Sequence, residues 1–226
     1  MTDGPPPVVL DVDGTLTRPE GGLDPRTIDA LRNWPKTVVI ATGKAFPYPV
    51  ALCHFAGIPE NVVAENGGVV HAAGEVAYTG DPEAARAVAS EYVEAGYSLG
   101  WPPSDLVNRW RETEVAVSRD APLAPLQALA DDHGQEVVDT GYAYHVKSPE
   151  MSKGRGLELV ADLLGLPLDD AIMVGDSIND VSGFERVGRS YAVANADADA
   201  LAAADVVLEE GYADGTLGLL NRLRSR

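Results

Sequence analysis

Val8-Val9-Leu10-Asp11-Val12-Asp13-Gly14-Thr15 is a short apolar run that ends in two carboxylates and a glycine. A nearly continuous apolar segment of this length reads as a buried strand, and the Asp-Gly pair as the turn that closes it. Asp11 and Asp13 stand two apart, so on an extended chain their side chains leave on the same side. The pattern recurs at residues 37–41, closed by Thr42-Gly43, and at residues 171–174, closed by Gly175-Asp176-Ser177-Ile178-Asn179-Asp180. Between the first two runs Asp24-Pro25 opens a helix, with proline at the favoured first position, and residues 50–56 suit another. Apolar strands alternating with helices define a parallel sheet, whose ligands gather at the carboxyl ends of its strands.

Outward from these runs, residues 69–76 alternate around Ala73-Gly74, a hairpin signal. From about residue 79 the texture changes. Asp81-Pro82 opens an alanine-rich helix to about residue 95, Pro102-Pro103 interrupts, and residues 114–117 read as a strand. A helix over 122–133 and strands over 136–138 and 142–146 complete a small α+β unit. From Ser152 the α/β rhythm returns, with helices and strands to the end of the chain. The expected fold is therefore α/β: a Rossmann-like, three-layer parallel-sheet core over 1–78 and 150–226, interrupted by an α+β insert over 79–149.

Composition narrows the function classes. With 226 residues the chain can bury a sizeable core without disulfide staples, and one cysteine, Cys53, fits a reducing cytosol. The first residues lack the basic start and apolar run of a secretion signal, and no stretch reaches the ~18 apolar residues of a membrane span. A cytoplasmic protein is expected. The 17 basic and 35 acidic residues give a net charge of −18, which repels nucleic acid and anionic membranes. Only four of the basic residues are lysine: Lys36, Lys44, Lys147 and Lys153. Scarce lysine with a large negative charge fits a salt-rich cytoplasm, where the ~3 Å screening length at 1 M salt weakens self-repulsion; the plainer reading is solubility alone.

The strand-end residues carry the chemistry. Singly, Asp11 and Asp13 could mark an ordinary turn, Asp176 a helix cap, Thr42 an N-cap and Lys153 a solvated charge on a frayed turn. Together they do not fit those readings. Carboxylates at the mouths of neighbouring strands repel by ~4 kcal/mol per pair near 4 Å at an effective dielectric of 20. Such a cluster implies a cation, and all-oxygen ligands beside a phosphoryl group favour Mg²⁺. Ser152-Lys153-Gly154-Arg155-Gly156 places two cations and two glycines in one first helical turn, against both dipole and propensity, which makes sense if that turn faces an anion. Glu65-Asn66-Gly67-Gly68 also follows an apolar segment and is expected to line the same rim.

Asp11-Val12-Asp13-Gly14-Thr15-Leu16, Thr42-Gly43, Lys153 and Gly175-Asp176-Ser177-Ile178-Asn179-Asp180 resemble, in order and placement, the four motifs of the haloacid dehalogenase-like phosphohydrolases. The insert and Glu65-Asn66-Gly67-Gly68 resemble the subgroup with a late α+β cap, and the compact insert and overall length look most like the archaeal phosphoglycolate phosphatases. Lys44 departs from the arginine often found there. The resemblance implies Asp11 as nucleophile, Asp13 as general acid and base, and Thr42, Gly43, Lys153 and Asn179 as phosphate-binding residues. It implies Mg²⁺ on Asp11, Asp13 (through its main-chain carbonyl), Asp176 and Asp180. The implied partner is a small phosphate ester, 2-phosphoglycolate foremost, with no nucleic acid or membrane, and the chain acting as a monomer or homodimer.

Within that resemblance the substrate could instead be a sugar phosphate or mannosyl-3-phosphoglycerate. A mutase-type phosphotransferase would pass the phosphoryl group to a sugar, and a receiver module would only accept it. A receiver needs neither the insert nor Asp13 as an acid. In the insert, His145, Lys147, Tyr142 and Arg109 are the expected substrate-selecting side chains.

Overall fold

The computed structural model describes residues 4–225. Strands β1 (Val8–Leu10), β2 (Val38–Ala41), β3 (Val62–Ala64), β4 (Val69–Ala72), β5 (Glu75–Tyr78), β9 (Ile172–Gly175), β10 (Arg189–Ala192) and β11 (Val206–Val207) form one sheet in the order β11-β10-β9-β1-β2-β3-β4-β5. Parallel pairing runs from β11 to β3, and the antiparallel β4–β5 hairpin extends the edge. Alternate residues feed opposite faces, which is why the strands read as unbroken apolar runs. Val8, Leu10, Ile40 and Val174 pack with helices α1 (Pro25–Arg32), α2 (Pro47–Ala56) and α8 (Tyr212–Arg224). Val9, Val39, Val63 and Met173 pack with α5 (Lys153–Leu164), α6 (Ile178–Phe184) and α7 (Ala198–Ala203). Asp24 caps α1 by accepting from the Arg26 amide, and α2 ends on left-handed Gly57 at φ 70°.

Register decides where the chemistry falls. Leu10 lies opposite Ile40 on one side and Val174 on the other. The next residues of all three strands therefore emerge at one edge, and those residues lead into Asp11, Thr42 and Asp176.

Between β5 and α5 the chain builds a second sheet, from β6 (Val115–Ser118), β7 (Glu136–Asp139) and β8 (Ala143–Lys147), ordered β6-β8-β7 and antiparallel throughout. Helices α3 (Pro82–Glu94) and α4 (Leu123–Asp132) cover one of its faces, burying Val88, Tyr92, Val117, Leu126 and Val146. Val146 sits in that cluster and His145 does not, so period-two alternation turns His145 to the opposite face. The twenty residues between α3 and β6 form no regular element. They are held instead by Asn108, whose side chain accepts from the Ala116 amide at 2.8 Å and donates to the Ala116 carbonyl at 2.9 Å.

Candidate active site

Asp11 is buried at the end of β1, and its side chain meets the only lysine of α5. Lys153 Nζ donates to Asp11 Oδ1 at 2.7 Å and to Asp180 Oδ1 at 2.6 Å, with the lysine side chain fully buried. The other oxygen of Asp180 accepts from the amides of Asp176 and Ser177 at 3.0 and 3.1 Å, in a capping box that opens α6. Asp11, Asp176 and Asp180 each bring one carboxylate oxygen within 4.8 Å of the others. Gly14, at φ 78°, makes this approach possible, because a Cβ there would overlap the Asp176 carboxylate.

The electrostatics follow from crowding. Burial, reinforced by Asp180 and Asp13 and opposed by Lys153, pushes Asp11 up to about 7. Burial and the charges of Asp11 and Asp180 push Asp176 up to about 9. Lys153 is raised, since its two carboxylate partners outweigh the desolvation that would lower it. One ammonium among three carboxylates leaves a negative, all-oxygen donor set, which fits a hard divalent cation.

The remaining expected residues fall around the same mouth. A cleft of about 530 Å³ is lined by Asp11, Asp13, Thr42, Gly43, Asp176 and Asn179 among others. Thr42 is buried and its Oγ1 accepts from the Lys44 amide at 3.2 Å. Asp13 is the exposed carboxylate, 60% accessible and paired with Lys44 Nζ at 3.0 Å. Lys44 thus stands inside the cleft, at the position where the resemblance leads one to expect arginine.

The structure differs from the sequence reading at four points. The two glycines of the Lys153 turn serve packing: a Cβ on Gly154 would strike the Ser182 carbonyl, and one on Gly156 would strike Val63 and the backbone of Gly67. Arg155, the second cation there, faces away and pairs with Glu158 at 2.9 Å. Glu65 does not line the cleft. It is fully buried, and its carboxylate accepts from the amides of Glu112 and Thr113 and from Thr113 Oγ1, at 2.8 to 3.0 Å. Among the four insert candidates, His145 and Tyr142 line the cleft, while Arg109 is exposed elsewhere and Lys147 spends its ammonium on Glu136 and on the Met151 carbonyl.

Sequence reasoning missed Arg111 and Glu114. Arg111 lines the cleft, donates from Nη1 to the Gly43 carbonyl at 3.0 Å and pairs with Glu114. Glu114 is buried and accepts from Asn66 Nδ2 at 3.0 Å, while Asn66 Oδ1 accepts from Asn179 Nδ2 at 3.0 Å. A polar chain therefore links α6 to the insert through Asn66. The one available signal was an acidic residue at the start of an apolar strand.

A crossed parallel sheet with carboxylates and a lysine converging at its carboxyl edge, beneath an α+β insert, defines a class. A family model described as haloacid dehalogenase-like hydrolase matches residues 8–90 and 126–220, and the chain belongs to that family. More narrowly, it is 60% identical over 220 residues to a phosphoglycolate phosphatase of Natronomonas pharaonis, covering 96% of this chain and 97% of that one. It is 54% identical over 225 residues to a phosphoglycolate phosphatase of Halobacterium salinarum, with full coverage of both. The fold matches a crystal structure from Thermoplasma acidophilum with TM-score 0.82 at 23% identity, covering 97% of this chain and 98% of that one.

Proposed function

We propose that this chain is a Mg²⁺-dependent phosphatase of small phosphate monoesters, with 2-phosphoglycolate, hydrolysed to glycolate and phosphate, as its substrate. The observation that carries the catalytic reading is the joint hold of Lys153 on Asp11 and Asp180, with Asp176 within 4.8 Å, at the sheet's carboxyl edge. The names of relatives more than half identical over the full chain support the substrate.

Asp11 attacks phosphorus in line with the ester oxygen; the P–O bond breaks and an aspartyl-phosphate forms, so one difficult displacement becomes two. Asp13, exposed at the mouth, gives its proton to the departing oxygen and then takes one from the water that opens the acyl phosphate. Thr42 Oγ1, the Gly43 amide and Asn179 hold the phosphoryl oxygens. Lys153 orients Asp11 and offsets its charge against the incoming dianion, and Asp180 fixes Lys153 from behind. The carboxylates of Asp11 and Asp176 and the Asp13 main-chain carbonyl, with Asp180 completing the cluster, would hold Mg²⁺, which would supply the neutralisation that lets a carboxylate approach a phosphate. Residues 79–149 act as a cap that excludes water. The reading is of a cytoplasmic enzyme.

The test is phosphate release with Mg²⁺ and no sugar acceptor, across 2-phosphoglycolate, sugar phosphates, phosphoglycerates and glycosylated phosphoglycerates. The highest kcat/KM is expected on 2-phosphoglycolate. Release without an acceptor excludes a mutase, and repeated turnover excludes a receiver module. A preference for any other ester overturns the substrate assignment; no release at all overturns the catalytic one.

A further inference from the structure

Opposite the acidic floor, the cleft carries a guanidinium and an imidazole fixed by one buried carboxylate. Arg111 spends Nε on the Val107 carbonyl at 3.1 Å and Nη1 on Gly43 and Glu114. His145, projecting from the face of β8 that turns away from the insert's own core, pairs through Nδ1 with Glu114 Oε1 at 3.0 Å. The same Glu114 oxygen holds both, so the guanidinium and the imidazole are neighbours. Among the described residues no protein group takes Arg111 Nη2 or His145 Nε2, and both side chains line the cleft. Burial alone would raise Glu114, but the charges of His145 and Arg111 overcome it and bring the carboxyl down to about 2. An ionised, buried carboxylate thus locks the guanidinium, whose Nη2 remains free, and the imidazole, whose Nε2 donates once both ring nitrogens carry a proton.

Such locking matters for recognition. Preorganised donors lose little side-chain entropy on binding, and a hydrogen bond from the free Nη2 of a guanidinium to a carboxylate is charge-assisted, roughly twice as strong as a neutral one. In a chain of net charge −18, Arg111 sets a guanidinium above a floor that takes the phosphoryl group. Lys44, the other cation at the mouth, is already paired with Asp13.

We propose that Arg111 and His145 together receive a carboxylate borne by the leaving group, so that the enzyme selects phosphate esters of short hydroxy acids over esters of neutral alcohols. The inference rests on the phosphatase reading and names the residues that set its selectivity. Glu114 is a positioning residue that acts through both.

The experiment compares kcat/KM for 2-phosphoglycolate and for ethyl phosphate, which has the same length and no carboxylate, in the full chain with Mg²⁺. The ratio should favour 2-phosphoglycolate in the wild type. It should fall about 10- to 100-fold in Arg111→Gln and in His145→Ala, chiefly through KM, as expected for loss of a charge-assisted hydrogen bond. His145→Gln, which keeps a neutral donor, should recover part of the loss. Thermal shift gives a second readout: 2-phosphoglycolate should protect the wild type more strongly than it protects Arg111→Gln. An unchanged ratio in both variants overturns the proposal, as does turnover of ethyl phosphate without preference for 2-phosphoglycolate. If no ester is turned over, the catalytic reading fails, and the thermal shift still decides the carboxylate site.

Discussion

The floor and the roof of the cleft are built by opposite means. The floor takes Asp11, Lys153, Asp176 and Asp180 from three distant stretches and joins them by strand register and one buried lysine. The roof takes Arg111 and Glu114 from a single irregular loop, adds His145 from a strand, and joins them through one buried carboxylate. The floor is negative and crowded, so Asp11 and Asp176 are pushed towards protonation. In the roof the charges balance, and its carboxylate is pulled the other way. Repulsion stored in the floor is available to a bound cation; the roof holds its donors ready without one.

Breaking the floor should cost most. Asp11→Asn is expected to lower kcat by at least about 10⁴-fold, the scale seen when a covalent nucleophile is removed. The protein should stay folded, and in EDTA its Tm should not fall, because a crowded buried charge has been removed. Retention of most of the wild-type rate would remove Asp11 as nucleophile. Chelation itself should silence the wild type and Mg²⁺ should restore it, which a release assay in EDTA checks directly.

Lys153→Ala is the next largest effect. Loss of the cation should cost about 10²- to 10³-fold in kcat. It also leaves Asp11 and Asp180 buried without their partner, a change of the kind that costs ~3–5 kcal/mol, so urea unfolding should show a marked loss of stability. An unaltered midpoint would show that the pair contributes nothing to the fold.

The roof can be probed by acid. Glu114 sits near 2 in the folded protein and near ~4.3 when unfolded, so its stabilisation is full above the unfolded value and drains away as pH falls through the folded one. The linked amount is about 3 kcal/mol. Stability followed from pH 5 to pH 2 should therefore decline less steeply in Glu114→Gln, at the price of a lower plateau above pH 5. Parallel curves would contradict this account of the roof.

The smallest effect concerns neither surface. With net charge −18 and relatives from halophilic archaea, Tm should rise by several degrees between dilute buffer and molar KCl as self-repulsion is screened. A flat profile would leave the acidic surface as a matter of solubility only.

Most of the floor could be read from the sequence because each piece follows an apolar strand, and parallel topology sends all such strand ends to one edge. Asp11, Thr42 and Asp176 needed no more than that. Lys153 was readable as an oddity of its helical turn, yet the reason for Gly154 was not, because the Ser182 carbonyl that excludes a Cβ lies on a different helix. The roof was mostly hidden. Arg111 and Glu114 lie in a stretch whose shape is set by Asn108 mimicking a strand partner for Ala116, and no local periodicity announces that. Arg109, two residues away, carried the same charge and faces elsewhere.

Glu65 has a consequence for how the molecule comes apart. Its carboxylate belongs to the sheet-bearing half, but three of its donor atoms belong to Glu112 and Thr113 on the other side. Cutting out residues 79–149 and rejoining the ends would strip that carboxylate of all three donors and open its site to water, with its chain already held in the left-handed region at φ 51°. The two halves are therefore unlike beads on a string: calorimetry should record one melting peak, and neither half should survive alone as a tidy fragment.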